Sequence, residues 1–171
     1  MQIKQVVLAL AVPLFLTGNA GAQVKQRDTL RGLVGFYVTV GAIEDTEARH
    51  RGITQEQLQT DVELALRREH IRVLSISEAR DDVRKPLLQV EVSAGSASET
   101  NRCKGIYAWS VRVHVLQEVD LKTSPSTRQL VPTWIGFTYG STGIDSLGSI
   151  RTEVADLIKG LINDYLAANE R

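Results

Sequence analysis

The sequence predicts an α+β fold, a two-layer sandwich in which two helices cover one face of a mixed, mostly antiparallel sheet. Apolar and polar residues alternate along Tyr107–Leu121, as in a half-buried strand. Two other segments repeat apolar residues at helical spacing, so each helix has one face to bury. The predicted order is β-α-β-β-β-β-α. Only one face of the sheet is apolar enough to pack against the helices, so both helices lie on that face.

The amino-terminal residues 1–22 have the features of a signal peptide. Lys4 supplies a positive charge, Val6–Leu16 is apolar, and Ala20 and Ala22 are the small residues that signal peptidase requires. The apolar run is shorter than the roughly 20 residues that span a bilayer. We therefore expect cleavage after Ala22, a flexible mature terminus over residues 23–31, and one domain over residues 32–168. The mature chain is then periplasmic or secreted and does not span the membrane.

The domain begins with a predicted strand and helix. Gly32–Ile43 is rich in Val, Phe, Tyr and Thr, which predicts a strand buried on both faces. Glu44–Gly52 is predicted to be a charged loop. Thr54 is then a good N-cap, and Gln57 completes a capping box three residues later. A helix over Gln55–His70 follows.

Three strands are predicted next. Ile71–Ile76 and Leu88–Val92 are short segments with β-forming residues, and Tyr107–Leu121 is long enough to require a bulge near Gln117. The side chains of the long strand divide between two faces. One face carries Tyr107, Trp109, Val111, Val113 and Val115, and the other carries Ala108, Ser110, Arg112 and His114.

The last predicted strand, Gln129–Tyr139, contains the candidate binding residue Trp134. Pro132 lacks a backbone donor, which predicts an edge position or a bulge in this strand. If Val131, Ile135 and Phe137 face the helices, Trp134 emerges on the opposite face with Leu130. Arg112, His114 and Trp134 then form one patch for a partner. In the alternative register Trp134 is buried, and the pattern leaves both registers open.

A long helix over Asp145–Ala168 ends the chain. Its apolar residues fall on one stripe: Leu147, Ile150, Val154, Leu157, Ile158, Leu161, Ile162 and Tyr165.

The charge composition argues against nucleic-acid binding. The chain has 20 basic and 20 acidic residues, and cleavage removes Lys4, so the mature charge is −1. Such a balance gives no basic footprint for nucleic acid.

Cys103 is the only cysteine, so no internal disulfide can form. We interpret it as an incidental thiol, with an intermolecular disulfide as the alternative.

Residues for catalysis or metal binding are not grouped in the sequence. The histidines at positions 50, 70 and 114 are scattered, and none has a His or Cys partner at metal-ligand spacing. No nucleophile elbow, phosphate-binding loop or dinucleotide fingerprint is present. We therefore predict no catalytic residue, metal or cofactor. A hydrolase site assembled only in the fold would have to use His114, His50 and Asp45.

An export signal followed by this order of elements resembles small bacterial envelope domains. These include the lipopolysaccharide-assembly lipoprotein and the auxiliary lipoproteins of transport systems, with the amino-terminal domain of the Tol-system propeller protein as a looser relative. The resemblance covers Gly32–Ala168 as element order and rests on no sequence motif. The chain departs from the lipoproteins because Gln23, not Cys, follows the cleavage site.

The resemblance implies a binding or assembly role. We therefore predict an exported, non-enzymatic module of the bacterial envelope, with an envelope protein or a lipid-like ligand as its partner. The alternatives are a small secreted hydrolase and a structural subunit that pairs through a sheet edge.

Overall fold

The computed structural model describes residues 26–81, 86–97 and 105–170. The predicted signal peptide over residues 1–22 and Cys103 lie outside these residues. The strands are β1 (Tyr37–Val40), β2 (Leu87–Ser96), β3 (Ile106–Leu121) and β4 (Ser124–Gly143). The helices are α1 (Thr46–His50), α2 (Gln55–Arg68), α3 (Ile76–Asp81) and α4 (Ile150–Asn169), and a 3-10 helix over Ile144–Ser149 precedes α4.

The four strands form one sheet in the order β1-β2-β3-β4. β1 is parallel to β2, and the other two neighbouring pairs are antiparallel. Helices α2 and α4 pack on the same side of this sheet, which we call the covered face; the other side is the open face. The predicted two-layer α+β class with a mixed sheet is therefore confirmed.

The alternation in β3 places the core as the sequence predicts. Val111, Val113 and Val115 are fully buried on the covered face, whereas Arg112 and His114 project from the open face. Trp109 is only half-buried, at the margin of the core. The predicted apolar stripe of α4 is also confirmed, since Ile150, Val154, Ile158, Leu161 and Ile162 are buried.

The beginning of α2 is the predicted one, with half of the capping box formed. The Thr54 hydroxyl accepts a hydrogen bond from the Gln57 backbone N–H at 3.2 Å. The Gln57 side chain donates instead to Asp61, one turn further on. The hydroxyl cap alone therefore satisfies a free N–H group at this helix end.

Two predictions about the first strand and the loop after it are wrong. β1 has four residues and alternates, with Tyr37 and Thr39 only half-buried, so it is not buried on both faces. It lies at a sheet edge, and the helices cover one face only. The predicted loop Glu44–Gly52 contains α1, because Asp45 caps it by accepting from the Ala48 N–H at 2.8 Å.

The predicted strand Ile71–Ile76 is reduced to one parallel bridge between Val73 and Phe36. The extended stretch ends at Ser75, which forms a reciprocal capping box with Glu78: the Ser75 hydroxyl accepts from the Glu78 N–H, and the Glu78 carboxylate accepts from the Ser75 N–H. This cap starts α3. The element order on which the resemblance rested therefore has one strand fewer than predicted.

The expected flexible terminus is wrong for residues 26–31. Leu30 is fully buried in the core. Asn169, at the end of α4, donates to the Leu30 carbonyl at 3.1 Å and accepts from the Gly32 N–H at 2.8 Å. The domain therefore begins before residue 32, because this segment buries apolar surface and bonds to the last helix.

β3 and β4 form a long hairpin joined by Lys122 and Thr123. A β-bulge interrupts it, because Val115 pairs with Trp134 but the next residue, Leu116, pairs with Pro132. Thr133 is the extra residue. Its hydroxyl accepts from the Gln117 side chain at 2.6 Å. The predicted bulge near Gln117 and the predicted edge position of Pro132 are both present.

Candidate functional site

The bulge at Thr133 determines which side chains of β4 face the helices. One inserted residue moves every following side chain to the other face. Trp134 therefore lies on the covered face and is only 6% exposed. Its indole N–H donates to the Asp164 carboxylate on α4 at 2.8 Å. Of the two registers that the sequence left open, the structure has the one in which Trp134 is buried.

Two glycines of β4 make room for tryptophan rings on the covered face. A Cβ at Gly136 would lie 2.9 Å from Cη2 of Trp134, and one at Gly140 would lie 2.7 Å from Cζ2 of Trp109. Each ring therefore covers a glycine of the edge strand, an arrangement known to stabilise such positions. Gly136 and Gly140 therefore leave room for the two rings.

The same bulge exposes three apolar side chains on the open face. Ile135, Phe137 and Tyr139 point away from the helices, with Phe137 50% exposed and Tyr139 75% exposed. Ladder pairing places Phe137 beside Arg112 of β3, and Arg112 beside Glu91 of β2. We call the following set the open-face patch: Glu91, Arg112, His114, Ile135, Phe137 and Tyr139.

Contacts connect the patch across three strands. The Arg112 guanidinium carbon lies 5.6 Å from the centre of the Phe137 ring, a cation–π distance. The Phe137 and Tyr139 rings lie 5.6 Å apart at an interplanar angle of 31°. Arg112 also forms a 3.3 Å ion pair with Glu91. Arg112 is thus held between an aromatic ring and a carboxylate, with its charge balanced.

His114 is the half-buried member of the patch. Burial lowers the pKa of its imidazole, Arg112 lowers it further, and Glu91 opposes both effects. The ring is therefore neutral at neutral pH. The patch carries one balanced ion pair and no net charge.

The structure brings together two of the three predicted binding residues. Arg112 and His114 share the open face, whereas Trp134 is on the other side of the sheet. The aromatic partner of Arg112 is Phe137, which the sequence pattern assigned to the core. The sequence did contain a signal for this surface. Residues 129–144 include no charged residue, and Pro132 among them indicates a bulge or an edge.

The candidate residues for a hydrolase do not meet. The Asp45 carboxylate caps α1, and His50 is exposed at the end of that helix. At the start of β3, burial raises the pKa of Tyr107, and the negative charges of Asp45 and Glu47 raise it further. His114 lies seven residues along the strand, about 23 Å away at the usual strand rise, and on the opposite face.

The helical layer contains an open groove of about 530 Å³ between α2 and α4. Leu64, Val154 and Ile158 contribute apolar surface. The Arg151 side chain donates two hydrogen bonds to one carboxylate oxygen of Asp61 in the groove, at 2.7 and 3.0 Å. A small apolar ligand in this groove would have a helix on each side.

Among the described residues, no group of three or more His, Cys, Asp or Glu side chains is arranged to hold a metal ion. None of the helices in the same residues is both long and apolar enough to cross a membrane.

Comparisons with known proteins assign neither a family nor an activity to this chain. No protein-family model matches the chain, and no curated protein matches it. A solved structure that matches the chain is a minor lipoprotein from Acinetobacter baumannii, with 11% sequence identity and a TM-score of 0.36. The match covers 80% of this chain and 93% of that chain.

Proposed function

We propose that this protein is an exported, non-enzymatic binding or assembly module of the bacterial envelope that docks a protein partner on its open-face patch. One observation carries the proposal. Phe137 and Tyr139 are large aromatic side chains exposed on the open face of the sheet, and Phe137 contacts Arg112. Aromatic residues and Arg are enriched in protein interfaces and supply most of their hot spots.

The electrostatics of the patch favour an uncharged, apolar partner surface. Arg112 is neutralised by Glu91, and His114 is neutral at neutral pH. The remaining members of the patch, Ile135, Phe137 and Tyr139, are apolar or aromatic. A partner that covers them removes apolar area from water at about 25 cal/mol per Å². Charge depletion is typical of the centre of such interfaces.

A lipid-like ligand is the less favoured partner. Small ligands bind in concave sites that bury most of their surface. The open face is one side of a sheet, and the concave groove lies between α2 and α4 on the opposite layer. A lipid would therefore occupy the groove and leave Phe137 exposed, whereas a protein partner would cover Phe137.

Affinity capture from envelope extract with two matched variants tests the docking site. Phe137→Ser and Leu64→Ser each remove an exposed apolar side chain, one from the open-face patch and one from the groove. We expect Phe137→Ser to reduce recovery of the partner at least about tenfold, because aromatic anchors often contribute 2 kcal/mol or more. Leu64→Ser should leave recovery unchanged. Loss with Leu64→Ser alone would move the site to the groove.

Export is tested separately. Ala20 and Ala22 predict that the exported protein begins at Gln23. Intact-mass analysis of the periplasmic fraction and the medium should give the chain without residues 1–22. A mass that retains these residues, or a chain found only in the cytoplasm, would contradict the localisation without affecting the docking surface.

A further inference from the structure

We propose that β4 pairs with β4 of a second copy of this chain, antiparallel about a twofold axis, so that two sheets join into one. The occupant is the same ten-residue segment in the other copy, residues 134–143. This inference concerns the backbone edge of the sheet. It does not rest on the docking proposed for the open face, although Phe137 and Tyr139 belong to both surfaces.

β4 has a free edge. It ends the sheet order, and in the described parts of the chain the backbone of residues 134–143 hydrogen-bonds to other backbone only across the ladder to β3. Backbone donors and acceptors therefore point outward along this stretch. Such a row is a template for another strand.

The devices that usually protect an edge are confined to the first half of β4. Natural edge strands are short, charged, bulged or interrupted by proline. Arg128, Pro132 and the bulge at Thr133 protect the first half. Residues 134–143 contain no charged residue and no proline, although this segment alone is longer than a typical strand of 5–6 residues.

The composition of the segment suits pairing with itself. In an antiparallel pairing of two copies, a charged residue near the centre would lie close to its own copy and be repelled, and this segment has no charged residue. An antiparallel pairing centred on Thr138 overlaps almost the whole segment and keeps the two open faces on the same side. Phe137 of each copy then lies opposite Tyr139 of the other. Cross-strand aromatic pairs of this kind stabilise a sheet.

The contact is small. It buries less than the roughly 1,200–2,000 Å² of a stable standard interface. We therefore expect a dimer in exchange with the monomer, whose fraction rises with protein concentration. The open-face patches of the two copies would lie side by side in it and remain accessible.

Sedimentation of the purified protein over a range from micromolar to millimolar tests the dimer. Tyr139→Lys places a charge in the segment and should raise the dimer dissociation constant at least about tenfold. Leu130→Lys is the matched control. It adds the same charge on the same strand, at a side chain that is 52% exposed and lies on the other side of the bulge. This variant should dimerise like the wild type. Circular dichroism should show that both variants are folded.

Amide hydrogen exchange identifies the contact. Amides within residues 134–143 should exchange more slowly at high protein concentration, because the outward N–H groups become bonded. Arg112→Ala, which alters the patch and leaves the edge intact, should still dimerise, so failure of partner docking and failure of self-pairing are distinguishable. A monomer at every concentration, a dimer unaffected by Tyr139→Lys, or a dimer without protection of residues 134–143 would each overturn the proposal.

Discussion

The Trp134 indole donates to the Asp164 carboxylate at 2.8 Å, and this bond joins the edge strand β4 to the last helix. The ring lies against Gly136 on the covered face, where it is almost completely buried. This contact fits the register that the bulge at Thr133 gives the second half of β4. With Trp134 inside, the next odd-numbered residues, Ile135, Phe137 and Tyr139, must be outside.

The burial of Trp134 predicts a large stability difference between neighbouring aromatic residues of β4. Trp134→Ala should lower the free energy of unfolding by about 3–5 kcal/mol, because a large buried ring is lost. Phe137→Ala removes a half-exposed ring and should cost no more than about 1 kcal/mol. Urea denaturation of the two variants measures both values. Near-wild-type stability for Trp134→Ala would mean that the ring is on the open face.

The glycines under the rings give a second stability test. Gly136→Ala and Gly140→Ala place a methyl group closer than 3 Å to a tryptophan ring, so the ring has to move. Each should cost about 1–3 kcal/mol, the usual range for overpacking. Gly143→Ala, where no heavy atom lies within 4 Å of the added Cβ, is the control and should change stability by less than about 0.5 kcal/mol. Equal effects in all three would contradict the ring positions.

Several elements could be predicted from the sequence because one physical signal dominated each of them. The alternation in β3 correctly placed Val111, Val113 and Val115 inside and Arg112 outside. The cap at Thr54 correctly began α2. Where two signals competed, as at Ser75, the capping box with Glu78 prevailed over the β-forming residues before it.

The candidate site could be predicted only in part, and the reason is the bulge. Pro132 indicated a bulge or an edge, but no pattern showed which residue would be inserted. The alternation of side chains predicted Val131 and Phe137 on the same face of β4. In the structure the extra residue Thr133 lies between them, so they are on opposite faces. Arg112 was therefore placed correctly and its aromatic neighbour was not, because a shift of one residue exchanges the two faces of a strand.

The ion pair of Arg112 should contribute little to stability. Its side chain and that of Glu91 are 50% and 41% exposed, and exposed pairs are worth about 0–1 kcal/mol. Arg112→Ala should therefore lower the free energy of unfolding by at most about 1 kcal/mol while weakening partner capture. Denaturation and capture of the same variant separate the two effects. A loss of several kcal/mol would assign Arg112 a structural role.

His114 predicts a dependence of stability on pH. Its pKa is lowered in the folded state, mainly by burial, so the unfolded chain takes up the proton first as the pH falls. This contribution to stability is present above the unfolded pKa of about 6.5 and is lost as the pH falls toward the lower folded value. His114→Gln should show a smaller loss of stability from pH 7 to pH 5 than the wild type. Equal losses would show that His114 does not titrate differently in the two states.

Site-specific photocrosslinking in living cells tests the docking surface most directly. A photoreactive phenylalanine derivative in place of Tyr139 lies on the open face, and the same derivative in place of Leu64 lies in the groove between α2 and α4. We expect a discrete adduct with another protein from position 139, weakened by Arg112→Ala, and none from position 64; an adduct of twice the chain mass would be the second copy. The same adduct from position 64, or no adduct with another protein from position 139, would contradict docking on the open-face patch.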